Sequence, residues 1–288
     1  RMGFDFILPI KKENTDESLA SFISRRIGRA AYDNLVGPLL SGIYAGDGDR
    51  LSLQSTFPNL RQMEIDHGGL IKGALALKLQ RIKIAKKKTT VKNRANPRSR
   101  SIFETHKSGL GIIVEAIVKN LQEARVDLLL NTGVKEVEKI DNIYHLTLED
   151  GTTLKVDKVI FATPAYATGK ILKEAEPKLA SLLSQIEYVS TATVSLAFRK
   201  KEIAPLKGYG YIIPQNEDSK ALACTWTSTK WDNRAHEDYV LMRFFVGRIQ
   251  DANALPNDEQ TLINIAKEEL RSTMGINLEP SYSWVFRW

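Results

Sequence analysis

Apolar residues recur at helical spacing near the start of the chain. Leu19, Phe22, Ile23, Ile27, Ala30, Ala31, Leu35 and Leu39 share one side, and Arg25, Arg26 and Arg29 hold the other. This predicts a helix over 15–40, with Thr15 or Asp16 as its N-cap. Gly37-Pro38 should end or kink it. "SGIYAGDGD" (41–49) then reads as a turn, and the stretch from Arg50 to Leu79 as one or two further short helices. Residues 83–101 combine few apolar positions with high charge, which predicts a mobile loop.

The pattern changes after that tract. Residues 109–124 place Leu110, Ile113, Val114, Ile117, Val118 and Leu121 at helical spacing. Shorter apolar runs follow in "VDLLLNT", "VKEVEKID" and "IYHLTLEDGTTLKV", where Asp150-Gly151 predicts a hairpin. "VIFAT" (159–163) is wholly apolar, as expected of a strand buried on both faces. A helix fits 166–185. Strands fit "TATVSLAFRK", "GYGYIIP", "ALACTWTS" and "VLMRFFVG", and a helix capped near Asp258 fits 258–274. The final "SYSWVFRW" reads as another strand. No internal repeat is found. The fold class expected is α/β in the broad sense (α+β): a helical first third and a mixed-sheet remainder.

Charge sharpens this division. Lys78 to Lys107 holds eleven Lys/Arg and one acid, Glu104, a net +10, which leaves about −3 of the total +7 for the rest. The tract is a basic arm on a near-neutral body, suited to nucleic acid, acidic lipid or an acidic partner. No aromatic residue interleaves its basic core, which argues against nucleic acid. No apolar run approaches the roughly 18 residues needed to span a bilayer, and the first residues do not read as a signal peptide. A single cysteine, Cys224, excludes an internal disulfide and a cysteine-rich metal site. It fits a small core position on a strand. The four histidines are scattered without ligand-like spacing.

Chemical motifs are scarce. "GDGDRL" has Leu51 where G-x-G-x-x-G needs its third glycine, and no Walker A pattern occurs. Asp47 and Asp49 resemble the start of a calcium loop, but Pro58 stands where its closing Glu belongs. No nucleophile elbow, zinc-helix motif or telling acid pair is present. Gly42, Gly46 and Gly48 permit a tight turn that the aspartates can cap.

The stretch Pro38–Pro58, "PLLSGIYAGDGDRLSLQSTFP", resembles the signature of the flavin-dependent protoporphyrinogen and coproporphyrinogen oxidases of haem synthesis. That signature runs approximately P-L-L-x-G-[IV]-[YF]-A-G-[DN]-x-x-x-L-S-x-x-[SC]-x-F-P. The resemblance continues in order through "VIFATPA", "GYGYIIP", "ACTWTSTKW", "LMRFFVG" and "RW". It is nearest to the bacterial type that oxidises coproporphyrinogen III. The family's opening G-x-G-x-x-G and closing glycine-rich FAD segment have no counterpart here. The chain is therefore expected to be the central portion of such an enzyme and inactive alone.

The resemblance implies three regions. These are a helical, membrane-associating domain over 1–107, part of an FAD-binding domain over 108–168, and a substrate-binding mixed-sheet domain over 169–288. It further implies that the backbone of Val134 meets the FAD adenine and that Trp288 lies beside the flavin. Ile43, Tyr209, Ile212, Leu222 and Phe245 match positions that line the tetrapyrrole cavity. Phe244 and Phe245 are neighbours on a strand, so only one can face that cavity, and the resemblance favours Phe245. No protein side chain is assigned a catalytic role, and no metal is implied.

The reaction implied is a six-electron oxidation of a porphyrinogen in three two-electron steps. Hydride passes to flavin N5, and oxygen reoxidises the flavin to give hydrogen peroxide. The cofactor carries the chemistry, which explains why no acid–base pair announces itself. The substrate's propionates call for a Lys or Arg, which the sequence alone does not single out. Implied partners are the tetrapyrrole, oxygen and an anionic membrane surface, with a cytoplasmic location at the inner face of the membrane. Nucleic acid is not among them, and a homodimer is one open assembly. Two other readings compete. One is another amine-oxidase-like flavoenzyme, such as a desaturase or amine oxidase, which would lack the "SGIYAGD" block. The other is a non-catalytic module that binds through the basic arm.

Overall fold

The computed structural model describes residues 2–11, 15–44, 46–88, 104–214, 217, 219–247 and 255–288. It divides into two compact units, Arg1–Lys107 with Val189–Trp288, and Ser108–Tyr188. Residues 169–188, expected with the substrate-binding sheet, group with residues 108–168, and residues 1–107 group with 189–288. The two helices within 165–184 fall in the small unit because they pack on each other and the first packs on the strand at 134–140.

The first helices are α1 (Leu19–Ile27), α2 (Arg29–Ala31), α3 (Gly37–Tyr44), α4 (Leu53–Thr56), α5 (Pro58–His67) and α6 (Leu70–Lys88). The N-cap of α1 is Ser18, whose hydroxyl accepts from the Ser21 amide. Asp16 accepts instead from the amides of Glu17 and Gln54. The break falls at Gly28, with φ of 100°, a conformation that favours glycine. Gly37-Pro38, by contrast, lies inside helical backbone. A π-helical turn, Tyr32–Val36, precedes it, and the Gly37 amide bonds Tyr32 O five residues back. That wider turn accommodates the proline that a regular helix would reject. Residues 83–88, expected as loop, extend α6, since Lys, Ile and Ala sustain a helix. The rest of the expected loop lies outside the described residues.

The glycine-rich turn serves α1. Leu51 O and Gly48 O accept from the Leu19 and Ala20 amides, two donors that a helix start leaves unpaired. Asp47 accepts from the Asp49 amide, and Asp49 pairs with Arg29. A Cβ at position 48 would meet the Tyr32 hydroxyl, so any larger residue there would have to displace that ring.

Beneath these helices lies a buried ionic network. Arg26, fully buried, donates Nε to Asp5 at 2.7 Å and its remaining N–H groups to the carbonyls of Asp5, Leu8, Pro9 and Gly68. Asp5 also accepts from the Ile71 amide, at the start of α6. Glu64, buried on α5, accepts from Arg25 and Arg61. Burial pushes its carboxyl upward, but these guanidinium bonds outweigh burial and hold it below the usual range.

The small unit carries α7 (Gly111–Glu123), an antiparallel meander of β1 (Val134–Ile140), β2 (Ile143–Leu148) and β3 (Thr153–Val156), then α8 (Ala165–Ile171) and α9 (Pro177–Ser184). The expected hairpin at Asp150-Gly151 joins β2 to β3, with Gly151 at φ 85°. Pro177 opens α9 and splits the helix expected over 166–185. "VIFAT" is not a strand. No described strand runs beside it, so its backbone has no ladder to join, and Ile160 is 93% exposed.

The second sheet comprises β4 (Ala192–Arg199), β5 (Gly210–Ile212), β6 (Ala221–Trp226), β7 (Tyr239–Val246) and β8 (Tyr282–Arg287), in the order β5-β6-β7-β4-β8. All neighbouring pairs are antiparallel. The short α10 (Thr227–Lys230) follows β6. Along β4 and β7, alternate residues point one way: Val194, Leu196, Phe198, Met242 and Phe244 form a core with Leu262, Ala266 and Leu270 of α11 (Glu259–Met274). Asp258 caps α11 by accepting from the Thr261 amide. Cys224 belongs to this core, and burial pushes its thiol upward. The architecture is thus α+β, with both sheets antiparallel.

Candidate functional site

The opposite face of the five-stranded sheet is open. It walls a cavity of about 1060 Å3. Register assembles the wall in rows. Phe286, Thr193, Phe245, Ala223 and Ile212 lie side by side across all five strands, and Trp284, Ser195, Arg243, Thr225 and Gly210 form the next row. Period-two alternation on β8 adds Tyr282 and Trp288 to the same face.

The aromatic side chains are arranged as a ladder. Tyr282 and Trp284 stack at 5.8 Å, Tyr282 meets Tyr239 at 5.6 Å, and Phe286 meets Trp288 at 4.6 Å. Tyr239 also lies under the Arg199 guanidinium, 4.5 Å from its ring centroid. Its phenol is held above the ordinary value, first by desolvation and then by the Tyr282 hydroxyl. Arg234 ties the preceding chain to the cavity edge by donating to Thr105 Oγ1 and to the carbonyls of His106 and Lys107, each at 2.8 Å. His236 lies 3.4 Å from the Asp238 carboxylate. Among the described residues, no group of three His, Cys, Asp or Glu is placed to hold a metal.

The residues singled out in the sequence divide clearly. Phe245, Leu222 and Trp288 line the cavity. Phe244 is fully buried on the other face. Leu222 owes its aim to an irregularity between Ala221 and Ala223, where β6 carries an extra residue against β7. Ile212 shares the cavity face by register but is not among the lining residues, and Tyr209 precedes β5 with its side chain 65% exposed. Ile43 lies on α3, which packs near β5 and β6, but its side chain lies outside the described residues. Val134 opens β1 in the small unit. The sequence reading overlooked Tyr239, Arg243, Tyr282, Trp284 and Phe286. The spacing of "YSWVFRW" carried the signal, since every second residue is aromatic.

Residues 6–288 match the family of flavin-containing amine oxidoreductases. The chain belongs to that family. Within it, the chain is similar to coproporphyrinogen III oxidase of Bacillus subtilis (strain 168), with 38% identity over 289 residues, all of this chain and 59% of the relative. It is also 30% identical to coproporphyrinogen III oxidase of Staphylococcus aureus (strain NCTC 8325 / PS 47), over all of this chain and 60% of that protein. A crystal structure from Exiguobacterium sp. 255-15, provisionally named a protoporphyrinogen oxidase, superposes with a TM-score of 0.79 at 25% identity. That match covers 99% of this chain and 58% of the other. The chain therefore spans about three fifths of the length of these flavin-family relatives.

Trp288 offers an indole 72% exposed on the cavity face, beside Phe286, which suits a planar heteroaromatic ring. The chain's sequence contains no G-x-G-x-x-G, so no phosphate cradle is assigned to these residues.

Proposed function

We propose that this chain forms the substrate-binding part of an FAD-dependent porphyrinogen oxidase, with coproporphyrinogen III as its preferred tetrapyrrole. The observation that carries this reading is the aromatic ladder Tyr282–Trp284–Phe286–Trp288 on the wall of the cavity. Strands lie about 4.8 Å apart, so β8, β4, β7 and β6 together span roughly 14 Å. That breadth suits a flat macrocycle. Phe245, Leu222 and Ile212 would hold the ring against the sheet, with Tyr209 and Ile43 closing its edges. Trp288 would border the flavin. A flavin, when bound, would supply the hydride acceptor. The protein's own part is to orient the macrocycle and to exclude water with apolar walls.

Titration with coproporphyrin III, followed by porphyrin fluorescence, tests this reading. The chain should bind saturably, and Trp284→Ala should weaken binding several-fold to about a hundredfold without lowering stability, because Trp284 is half exposed. Absence of saturable binding, or equal affinity in the variant, would refute it.

A second reading concerns α6. Leu75, Leu79 and Ile82 form an exposed stripe on one helix face, flanked by exposed Lys72 and Lys78. No described helix is long and apolar enough to cross a membrane. An apolar stripe edged by lysines instead suits an anionic lipid surface. We propose that residues 1–107 dock there, with α6 as the contact.

A further inference from the structure

On the cavity face, the middle strand β7 presents Tyr239, Leu241, Arg243 and Phe245. Arg243 breaks an otherwise apolar and aromatic run. Across the sheet it stands between Ser195 of β4 and Thr225 of β6, with Trp284 one strand further out. Among the described residues its side chain makes one hydrogen bond, a long one from Nε to Ser195 Oγ at 3.4 Å. Both terminal nitrogens lack an acceptor among the described residues, and no described carboxylate lies within ion-pair distance. None of the described residues lining the cavity is acidic.

The other basic side chains at this wall have partners. Arg234 spends its terminal nitrogens on residues 105–107, and His236 sits beside Asp238. Arginines elsewhere also have carboxylate partners, as Arg25 does in Glu64, Arg26 in Asp5 and Arg271 in Glu268. An unpaired guanidinium is tolerable while water reaches it. Once a flat ligand covers the aromatic wall, that water is displaced, and the charge becomes costly unless an anion replaces it. The planar fork of arginine matches a carboxylate in bidentate fashion.

We propose that Arg243 is the carboxylate anchor of this cavity. It binds one acidic side arm of the tetrapyrrole and so fixes the rotation of the ring on the sheet. The inference rests on the tetrapyrrole reading above and goes beyond it, by naming the residue that selects an acidic substrate over a neutral one of the same shape.

The test measures affinities for coproporphyrin III and for its neutral, water-soluble tetra-amide, using the full chain. Wild type should prefer the acid. Arg243→Ala and Arg243→Met should each bind coproporphyrin III about ten- to a hundredfold more weakly, the range for a charge-assisted hydrogen bond. Both should hold the tetra-amide within about twofold of wild type, which also reports that the wall is intact. Arg243→Lys should recover part of the preference, as a point charge without the fork. Variants that keep the wild-type preference for the acid would overturn the anchor while leaving the tetrapyrrole reading in place. So would variants that lose both ligands equally at an unchanged melting temperature, which would make Arg243 a structural residue. If wild type binds neither ligand, the tetrapyrrole reading falls, and the anchor falls with it.

Discussion

Replacing Asp5 by alanine should unfold much of what holds the first helices together. Asp5 and Arg26 are both fully buried, with Oδ1 and Nε 2.7 Å apart. Removing the carboxylate leaves the buried guanidinium with only Glu64, 3.5 Å from its Nη1, as a counter-charge, which costs up to about 3–5 kcal/mol. The Ile71 amide, which donates to the other Asp5 oxygen at 2.7 Å, loses its acceptor, for about 1–3 kcal/mol more. The sum, roughly 4–8 kcal/mol, compares with a total stability of about 5–15 kcal/mol for a typical domain. Urea denaturation followed by far-ultraviolet circular dichroism measures the loss. The double variant Asp5→Ala/Arg26→Met gives the decisive comparison, because it removes both charges together. Its cost should fall short of the sum of the two single variants by about 2 kcal/mol or more. A loss below about 1 kcal/mol for Asp5→Ala, or simple additivity, would refute the claim that the pair acts as a unit.

Two further outcomes are expected. Glu64 is held below the usual carboxylate range, so its stabilisation is complete above the unfolded value of about 4.3 and fades as pH falls through the lower folded value. Urea midpoints measured from pH 5 down to pH 3 should therefore fall less steeply in Glu64→Gln than in wild type, and equal slopes would contradict this. For the lipid reading, the chain should float with vesicles containing anionic phospholipid. Leu75→Ser/Leu79→Ser should reduce that flotation at least several-fold, and unchanged flotation would remove α6 as the contact.

Local signals were the most legible in the sequence. The Asp258 cap, the Asp150-Gly151 hairpin and the strands of the large sheet all depend on neighbours a few residues away. The opposition of Phe244 and Phe245 followed from alternation alone, and the structure sets one in the core and the other on the cavity. Long-range pairings were not legible. Nothing near Arg26 announces Asp5, 21 residues earlier, and nothing near "VIFAT" reveals whether a strand will lie beside it. The π-helical turn before Pro38 was missed because propensity treats proline as a stop and not as a neighbour that a widened turn can accept. Arg243 was readable as a polar residue in an apolar strand, but the lack of a carboxylate partner among the described residues is a fact about five strands at once.

Strand β7 serves the core with one set of side chains and the cavity with the other, on a single backbone. One inserted residue ahead of Met242 would turn Arg243 toward the helix α11 and Phe244 toward the opening. The cavity can therefore change by substitution but not by a small length change within β7. Insertions and deletions that diversify its ligands are confined to the loops joining the strands, beyond the ends of the ladder.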